Sequence, residues 1–284
     1  MSQLEPVELP RLTRPSEVRT WLTAQNFHPS KVLGQNFLID DNILRILLET
    51  AALGPDDRVL EIGPGLGVVT QQLASQSGAV VAVEKDKRLG EHIANLFQGD
   101  DRLKLIRGDA LDVDYRELVA THHLNKLVAN LPYAVASRLL VELLKLEQGL
   151  ERMVFTVQLE VAERICAKPD TADYGLLAIW SQLDYRARVA KKISRTCFLP
   201  RPQVTSAIVL MERTRERRAA LRQPRLFDAL IKQAFSHRRK QLGTSLANFE
   251  NSGEALAACG IDARRRPETL SVEEWIGLAD NLAG

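Results

Sequence analysis

The chain has little cysteine, since only Cys166, Cys197 and Cys259 occur in 284 residues. They lie far apart in the sequence and form no C-x-x-C pair, so we expect neither a disulfide framework nor a cysteine-based metal site. The five histidines show no ligand-pair spacing with these cysteines, which argues against a zinc deaminase. We therefore expect no metal and a reducing, cytoplasmic location.

Long apolar runs are also absent. No stretch approaches the roughly 18 apolar residues that span a bilayer, and charges and three prolines interrupt the first fifteen residues. We therefore expect neither a signal peptide nor a membrane anchor. With 45% hydrophobic residues, the chain can still bury a substantial core, and its length suits one large domain with a smaller one.

The net charge of +2 conceals an uneven distribution of charged residues. Between Arg186 and Lys240 there are sixteen Lys or Arg residues but only three acids. A basic stretch of this kind suits a polyanionic partner, because phosphates neutralised by the protein release their counterions. A solvated face without any partner explains the charge equally well.

Short apolar runs alternate with helix-length segments over the first two thirds of the chain. This alternation is typical of βαβ units, in which a parallel sheet is buried on both faces. It predicts a doubly wound α/β domain. The predicted strands are Arg58–Ile62, Ala79–Glu84, Leu103–Arg107, Lys126–Ala129 and Met153–Val157, with later strands at Leu183–Ala190 and Ala207–Met211 that suit an antiparallel addition to the sheet.

The composition changes near residue 215, where an arginine-rich connector precedes apolar residues at helix spacing. We predict an N-terminal extension (1–30), an α/β domain (31–214) and a small all-helical C-terminal domain (215–284). The predicted C-terminal helices are Leu226–Phe235, Gln241–Phe249, Glu254–Cys259 and Val272–Leu282, with N-caps at Ser252 and Ser271.

The segment Glu61–Gly67 (EIGPGLG) follows the first predicted strand and opens a helix. Glycines at such a turn let a ligand approach the backbone closely. The third glycine comes one residue earlier than in the dinucleotide pattern G-x-G-x-x-G, so a pyrophosphate site is disfavoured. Gly63 and Gly65 are candidate cofactor contacts, and a purely structural turn is the alternative.

Acidic residues follow the next two strands. Glu84 ends the second strand, where a carboxylate can accept hydrogen bonds from both ribose hydroxyls of an adenosine-containing cofactor. Asp109 comes just after the third strand and can accept a hydrogen bond from an adenine amino group. An isolated aspartate at such a position is also common as a turn or N-cap residue.

The segment Asn130-Leu131-Pro132-Tyr133 closes the fourth strand. An adenine amine is a poor nucleophile towards a sulfonium methyl group, because its lone pair is delocalised into the ring. The Asn130 side-chain oxygen and the Leu131 carbonyl can accept the two amine hydrogens and favour a pyramidal amine. Pro132 biases Leu131 away from helical backbone, and Tyr133 offers a face on which a base can stack. An ordinary strand-end turn is the alternative.

These residues resemble a known family, the ribosomal RNA adenine dimethyltransferases, from about Lys31 to the C-terminus. Singly the shared segments are moderate signals, but their order and spacing are specific. The segments are Gly34-Gln35-Asn36-Phe37-Leu38, Glu61–Gly67, Asn130–Tyr133, Gln158 with Glu160 and Val161, Tyr174-Gly175, Phe198–Pro202 with Val204 and Ser206, and Ala234–Lys240.

The resemblance implies a class I methyltransferase with a Rossmann-like, mostly parallel sheet. Such an enzyme uses S-adenosyl-L-methionine, releases S-adenosyl-L-homocysteine and needs no metal. By the resemblance, Phe198 would stack on the target base opposite Tyr133. The residues that match the family's cofactor site are Asn36, Leu38, Gly63, Glu84, Asp109 and Asn130.

The resemblance also implies an RNA substrate, bound through its phosphates and in part by the C-terminal domain. The expected reaction dimethylates the N6 amines of two adjacent adenosines near the 3′ end of 16S rRNA, within the small ribosomal subunit and during its biogenesis. We expect the protein to act as a monomer. The implied phosphate-binding residues are Arg186, Arg188, Lys191, Lys192 and Arg195, with Arg238, Arg239 and Lys240.

Some residues depart from the family pattern. Ala134–Ser137 follows the tyrosine where members usually have Asn-Ile-Ser, Leu159 stands where lysine is common, and Thr244 replaces a frequent asparagine. These departures leave the segment Asn130–Tyr133 intact, and the one at Thr244 bears on details of rRNA docking.

Three other functions share parts of this pattern. A 23S rRNA adenine methyltransferase of the macrolide-resistance type has the same cofactor and catalytic segments, but Leu131 and Ala234–Lys240 favour the small-subunit enzyme. DNA adenine methylation is disfavoured because the resemblance covers both domains. A ribosome-assembly or transcription factor derived from this fold needs no catalysis, although Gly63, Glu84 and Asn130 argue for retained chemistry.

Overall fold

The computed structural model describes residues 12–283. The strands are β1 (Phe37–Leu38), β2 (Arg58–Ile62), β3 (Ala79–Glu84), β4 (Leu103–Arg107), β5 (Lys126–Asn130), β6 (Arg152–Gln158), β7 (Tyr185–Ile193), β8 (Phe198–Leu199) and β9 (Ser206–Arg213). The helices are α1 (Pro15–Ala24), α2 (Asp41–Ala51), α3 (Val68–Gln76), α4 (Lys87–Leu96), α5 (Tyr115–His122), α6 (Ala136–Leu144), α7 (Leu159–Cys166), α8 (Leu176–Asp184), α9 (Glu216–Ala220), α10 (Pro224–Ser236), α11 (Leu242–Ser245), α12 (Ser252–Ala258) and α13 (Val272–Leu282).

In the described chain, seven strands form one sheet in the order β4-β3-β2-β5-β6-β9-β7. In this sheet β2 pairs in parallel with β3 and β5, β3 with β4, and β5 with β6. The predicted doubly wound α/β fold is therefore confirmed. The strand order reverses between β2 and β5, and ligands of such sheets bind beyond the carboxyl ends of the strands at this point of reversal.

The central strand β5 explains why the parallel strands have continuous apolar sequences. Leu127, Val128 and Ala129 are all fully buried, because helices cover both faces of such a sheet. At the end of this strand, Asn130 pairs in register with Thr156 of β6. The apolar run therefore ends at Asn130, a polar residue that is only partly buried.

Strands β1 and β8 form a separate two-stranded antiparallel ribbon. Phe37 pairs with Leu199 and Leu38 with Phe198. Beyond this ladder, the Ile39 N–H donates to the Cys197 carbonyl at 2.8 Å. The ribbon therefore joins two segments that the family resemblance assigns separately to the cofactor and to the target base.

Three sequence predictions outside the sheet centre need correction. Strand β7 begins at Tyr185 because Leu183 and Asp184 still belong to α8. Of the helix predicted at 241–249, only α11 forms. The N-cap of α12 is Asn251, so the predicted cap Ser252 is instead the first helical residue. The capping box of Ser271 with Glu274 at the start of α13 is confirmed.

Contacts divide the chain into two units. One comprises the chain up to Leu159 together with Ala190–Leu210, and the other comprises Glu160–Val189 together with Met211–Gly284. The contacts thus group α7 and α8 with the C-terminal helices, which the change in composition near residue 215 does not reveal. The boundaries at residues 31 and 215 remain predictions drawn from composition and resemblance.

Aromatic side chains form the core of the second unit. Trp275 is fully buried, with its ring 6.1 Å from that of Phe235, which in turn lies 6.4 Å from Tyr174. Trp180 and Phe227 make an edge-to-face pair at 5.5 Å. Such pairs add directional contacts to the hydrophobic burial.

Candidate active site

A cavity opens beyond the carboxyl ends of β2, β3 and β5. The structure brings most of the predicted cofactor and catalytic residues to its wall. The side chains of Leu38 and Phe198 are buried instead in the core near the β1–β8 ribbon. The predicted residues in the lining are Asn36, Gly63, Gly65, Glu84, Asp109, Asn130, Leu131, Pro132 and Tyr133.

Two glycines of the turn after β2 have backbone that side chains rarely adopt. Gly63 has φ 69° and Gly65 has φ 59°. A Cβ atom on Gly63 would lie 2.9 Å from Pro132 Cγ, and one on Gly65 would lie 3.3 Å from the Phe37 ring. Glycine is therefore needed here both for conformation and for close approach of the neighbouring segments.

The Glu84 carboxylate is held by two backbone donors. Its Oε1 accepts from the Asp86 N–H at 2.8 Å and its Oε2 from the Gly65 N–H at 3.2 Å. Burial raises the pKa of Glu84, against the lowering effect of these hydrogen bonds. The carboxylate is thus held in position on the wall of the cavity.

Glu61 is a second buried acid in the same turn, and sequence reasoning assigned it no role. It is 1% exposed, and its Oε2 has no hydrogen-bond partner among the residues described. Burial, with a further contribution from the nearby Glu84 carboxylate, raises the pKa of Glu61 to about 8, and the Thr70 hydroxyl opposes this rise. Glu61 is therefore largely protonated at neutral pH.

Asp109 lies on the cavity wall as an anchored carboxylate. Its Oδ1 accepts from the Leu111 N–H at 3.0 Å, and its Oδ2 is 2.6 Å from the Lys85 ammonium. The Leu111 hydrogen bond, followed by the Lys85 contact, lowers the pKa of Asp109. Lys85 itself lines the cavity, and no pattern in the sequence had singled it out.

The Asn130 side chain makes two hydrogen bonds at the end of β5. Its Nδ2 donates to the Asn36 carbonyl at 2.8 Å, and its Oδ1 accepts from the Thr156 hydroxyl. The Leu131 N–H donates to the Thr156 carbonyl at 3.2 Å. Asn36 also donates from its own side chain to the Gly34 carbonyl, so the predicted cofactor and catalytic segments are hydrogen-bonded directly to each other.

Tyr133 lies between the cavity and the core. Its hydroxyl is hydrogen-bonded to Ser206, and burial raises its pKa to about 12, so the phenol is neutral. The Phe198 ring packs edge-on to Tyr133 at 6.4 Å and is fully buried. Phe198 therefore supports Tyr133 from the core side, and the stacking of Phe198 on a base remains a prediction.

Gln35 connects the segment before β1 to Asp86, which follows β3 and caps α4. Its Oε1 accepts from the Ser30 N–H at 2.7 Å, and its Nε2 donates to Asp86 Oδ2 at 3.0 Å. Asp86 also donates its N–H to Glu84. This polar chain gives Gln35 a structural reason to follow Gly34 in the shared segment.

Residues before Lys31, for which the sequence suggested no role, pack beside the glycine turn. Phe27 belongs to a buried cluster that includes Phe37 and Leu66. The Arg88 guanidinium lies 5.2 Å from the Phe27 ring and donates to the Asn26 carbonyl at 3.0 Å. The N-terminal segment thus packs against Phe37, which lines the cavity.

The basic residues predicted to bind RNA differ in how much they are exposed. Most have exposed side chains, whereas Arg238 is half-buried and donates to the Thr171 and Ala172 carbonyls at 3.2 and 2.6 Å. Arg238 therefore has a structural role within the second unit. The exposed residues are Arg186, Arg188, Lys191, Lys192, Arg195, Arg239 and Lys240.

Within residues 12–283, no group of three or more His, Cys, Asp or Glu side chains is arranged to hold a metal ion. In the same range, no helix combines the length and the apolar character that crossing a membrane requires.

Comparison with known proteins identifies the family of the chain. The family model described as "Ribosomal RNA adenine dimethylase" matches residues 26–283. A "Ribosomal RNA small subunit methyltransferase A" from Pelotomaculum thermopropionicum is 40% identical, over 94% of this chain and 96% of its own length. A protein of the same name from Clostridium perfringens is 39% identical, over 90% and 92% of the two chains.

Solved structures show the same fold. A dimethyladenosine transferase from Plasmodium falciparum superposes with a TM-score of 0.71 at 23% identity, covering 85% of this chain and 95% of its own. A 23S rRNA methyltransferase, ErmE, has a TM-score of 0.61 at 26% identity, covering 88% of this chain and 100% of its own. With a family model that matches nearly the whole length and curated relatives at about 40% identity, the chain belongs to the ribosomal RNA adenine dimethylase family.

Proposed function

We propose that this protein dimethylates the N6 amines of two adjacent adenosines near the 3′ end of 16S rRNA, in the small ribosomal subunit and in the cytoplasm. The observation that carries the proposal is the hydrogen-bonded pairing of Asn130 with Asn36 on the wall of the cavity. It joins an amine-accepting side chain to the segment that is assigned to the cofactor. The curated relatives, which are named for the small-subunit rRNA, support the choice of substrate.

The cavity suits S-adenosylmethionine. Gly63 and Gly65 present bare backbone at its wall, which a ligand can approach closely, and Glu84 presents an oriented carboxylate for ribose hydroxyls. Asp109 would accept from the adenine amino group. Asn36 would complete the wall of the site, whereas the predicted contact Leu38 has its side chain buried in the core. When bound, the cofactor would supply an electrophilic methyl group, and Asn130 lines the cavity that would hold it.

Two acceptors act on the target amine. Asn130 Oδ1 and the Leu131 carbonyl accept its two hydrogens, which favours the pyramidal amine whose lone pair is available for reaction. Pro132 restrains the backbone that aims the Leu131 carbonyl. The neutral Tyr133 offers its ring to the base, and Phe198 keeps that ring in place or joins the stack when RNA binds.

Exposed arginines and lysines on β7 and after α10 would bind rRNA phosphates. Arg186, Arg188, Lys191 and Lys192 all project from a single strand into solvent. Their long, mobile side chains suit contacts with phosphates rather than the reading of bases. We therefore assign the affinity for rRNA to these exposed basic residues and the choice of the reacting atom to the cavity.

The test is transfer of labelled methyl groups from the cofactor to small subunits that lack the modification, followed by mapping of the modified nucleotides. We expect two methyl groups on each of two adjacent adenosines near the 3′ end of 16S rRNA. Label on isolated large subunits instead would favour a 23S rRNA enzyme, the activity named for ErmE. Absence of transfer to either subunit would favour a role in assembly without catalysis.

A further inference from the structure

The amide of Asn130 is oriented by two partners of opposite chemistry. The Asn36 carbonyl can only accept, so the side-chain nitrogen of Asn130 must face it, at 2.8 Å. This leaves Oδ1 to accept from the Thr156 hydroxyl. A flipped amide would place two acceptors against each other at Asn36. The position of the catalytic oxygen is therefore determined by its neighbours.

Thr156 also holds the second acceptor. It lies on β6 in register with Asn130, and its carbonyl accepts from the Leu131 N–H at 3.2 Å. Its side chain is fully buried, and it is not among the residues that line the cavity. One residue behind the site thus contacts both the Asn130 side chain and the Leu131 peptide.

The hydrogen bond from the Thr156 hydroxyl leaves Asn130 Oδ1 able to accept a second hydrogen bond. An amide oxygen has two lone pairs, so Asn130 Oδ1 can accept from Thr156 and from one hydrogen of the target amine together. The last torsion of an asparagine has a broad energy minimum. The Asn36 contact alone therefore restrains the amide plane less than the Asn36 and Thr156 contacts do together. Loss of the hydroxyl would widen the range of positions that Oδ1 occupies.

We propose that Thr156 is a positioning residue for methyl transfer, because its hydroxyl orients Asn130 Oδ1 towards the target amine while its backbone restrains Leu131. This inference rests on the proposed function. It assigns a role in the reaction to a residue of β6 that lies outside the segments lining the cavity.

The test compares Thr156→Val, which keeps the shape and removes the hydroxyl, with Thr156→Ser, which keeps the hydroxyl. For Thr156→Val we expect kcat to fall about 10-fold, since small misplacement of a catalytic group costs one to two orders of magnitude. The KM for small subunits and the calorimetric Kd for the cofactor should stay within about 2-fold. Thr156→Ser should restore kcat to within about 3-fold of the wild type.

A double variant shows whether Thr156 acts through Asn130. In the Asn130→Ala background, measured by single turnover, adding Thr156→Val should lower the residual rate less than about 2-fold, because coupled residues are not additive. An equal loss in both backgrounds would overturn the inference, as would an unchanged kcat for Thr156→Val or a Thr156→Ser no better than Thr156→Val.

Should Thr156→Val not fold, the comparison of Thr156→Ser with Thr156→Ala decides the same point. The serine variant should be at least about 3-fold faster than the alanine variant, and equal rates would refute a role for the hydroxyl. If the wild-type chain itself transfers no methyl group to small subunits, the proposed function fails. If the wild type is active and the valine variant equals it, only the role of Thr156 fails.

Discussion

The wall of the cavity and the basic strand β7 place polar side chains under opposite conditions. In the cavity, Glu84, Asp109 and Asn130 each have two hydrogen-bonding or ionic contacts with neighbouring groups. On β7, Lys191 and Lys192 extend into solvent. A site that stabilises a reacting atom benefits from dipoles that are already oriented, whereas attraction to a flexible polyanion needs only charge within reach.

This contrast predicts different consequences of mutation in the two regions. A change in the cavity should be large, specific to one step and insensitive to salt. A change on β7 should be modest, confined to RNA affinity and strongly dependent on salt.

The largest effect is expected for Asn130→Ala. Loss of the side-chain acceptor should lower the rate of methyl transfer at least about 100-fold, as removal of one preoriented group from a catalytic site commonly does. Cofactor binding, measured by calorimetry, should be partly kept. Asn42→Ala, an exposed position on α2, serves as the control. Full methylation by Asn130→Ala would refute the catalytic assignment.

The next largest effect is expected for Glu84→Gln. A glutamine has one acceptor oxygen, whereas Gly65 and Asp86 already require both oxygens of Glu84 and ribose hydroxyls need them as well. We expect cofactor affinity to fall about 10- to 100-fold by calorimetry. Glu91→Gln on the exposed side of α4 is the matched control. Equal affinities for the two variants would rule out the ribose role of Glu84.

A smaller effect concerns Glu61 and the pH dependence of folding. A folded pKa raised to about 8 stabilises the fold fully below the unfolded value of 4.5, and this contribution is lost as pH rises through about 8. We expect Glu61→Gln to remove part of the decline in unfolding free energy between pH 6 and 8, by about 1–2 kcal/mol.

Denaturant titrations without cofactor measure this dependence for the wild type, Glu61→Gln and the exposed control Glu91→Gln. The control should keep the wild-type slope against pH. A Glu61→Gln profile parallel to the wild type would show that the buried acid does not change its proton binding on folding.

The smallest effect is expected for Lys191→Glu. Reversal of one exposed charge on β7 should weaken binding of small-subunit rRNA about 3- to 10-fold and reduce the slope of log affinity against log salt by about 0.7–0.9. Cofactor affinity should not change. Arg116→Glu, exposed on α5, makes the same change in net charge elsewhere. If both variants bind RNA equally well, β7 is not the RNA surface.

The sheet was predictable because each parallel strand is a short apolar run that is visible in the sequence. The apolar runs at Arg58–Ile62 and Ala79–Glu84 match β2 and β3 residue for residue. The helix predicted at Gln241–Phe249 is shorter than predicted, because the backbone leaves the helix after α11 and continues in turns. Helical spacing of apolar residues is a weak guide where tertiary contacts choose the backbone.

The candidate site was predictable only where a residue's type and its place at a strand end carry chemistry. Glu84, Asp109 and Asn130 stand out for this reason, and all three line the cavity. Lys85 and Thr156 were missed, because each is brought to the site by a contact with a side chain distant in sequence. Phe198 was assigned to the target base by resemblance, yet its ring is fully buried beside Tyr133.

The sequence by itself determined the α/β fold and the positions of the glycine turn and of the strand-end segment Asn130–Tyr133, because alternation, glycine placement and strand ends are local properties of the chain. Only the tertiary structure decided what holds those residues in position. Asn36 and Thr156 lie 94 and 26 residues from Asn130 along the chain, and the folded sheet brings them to the same amide. The orientation of a catalytic oxygen depends on such distant partners, which local sequence does not specify.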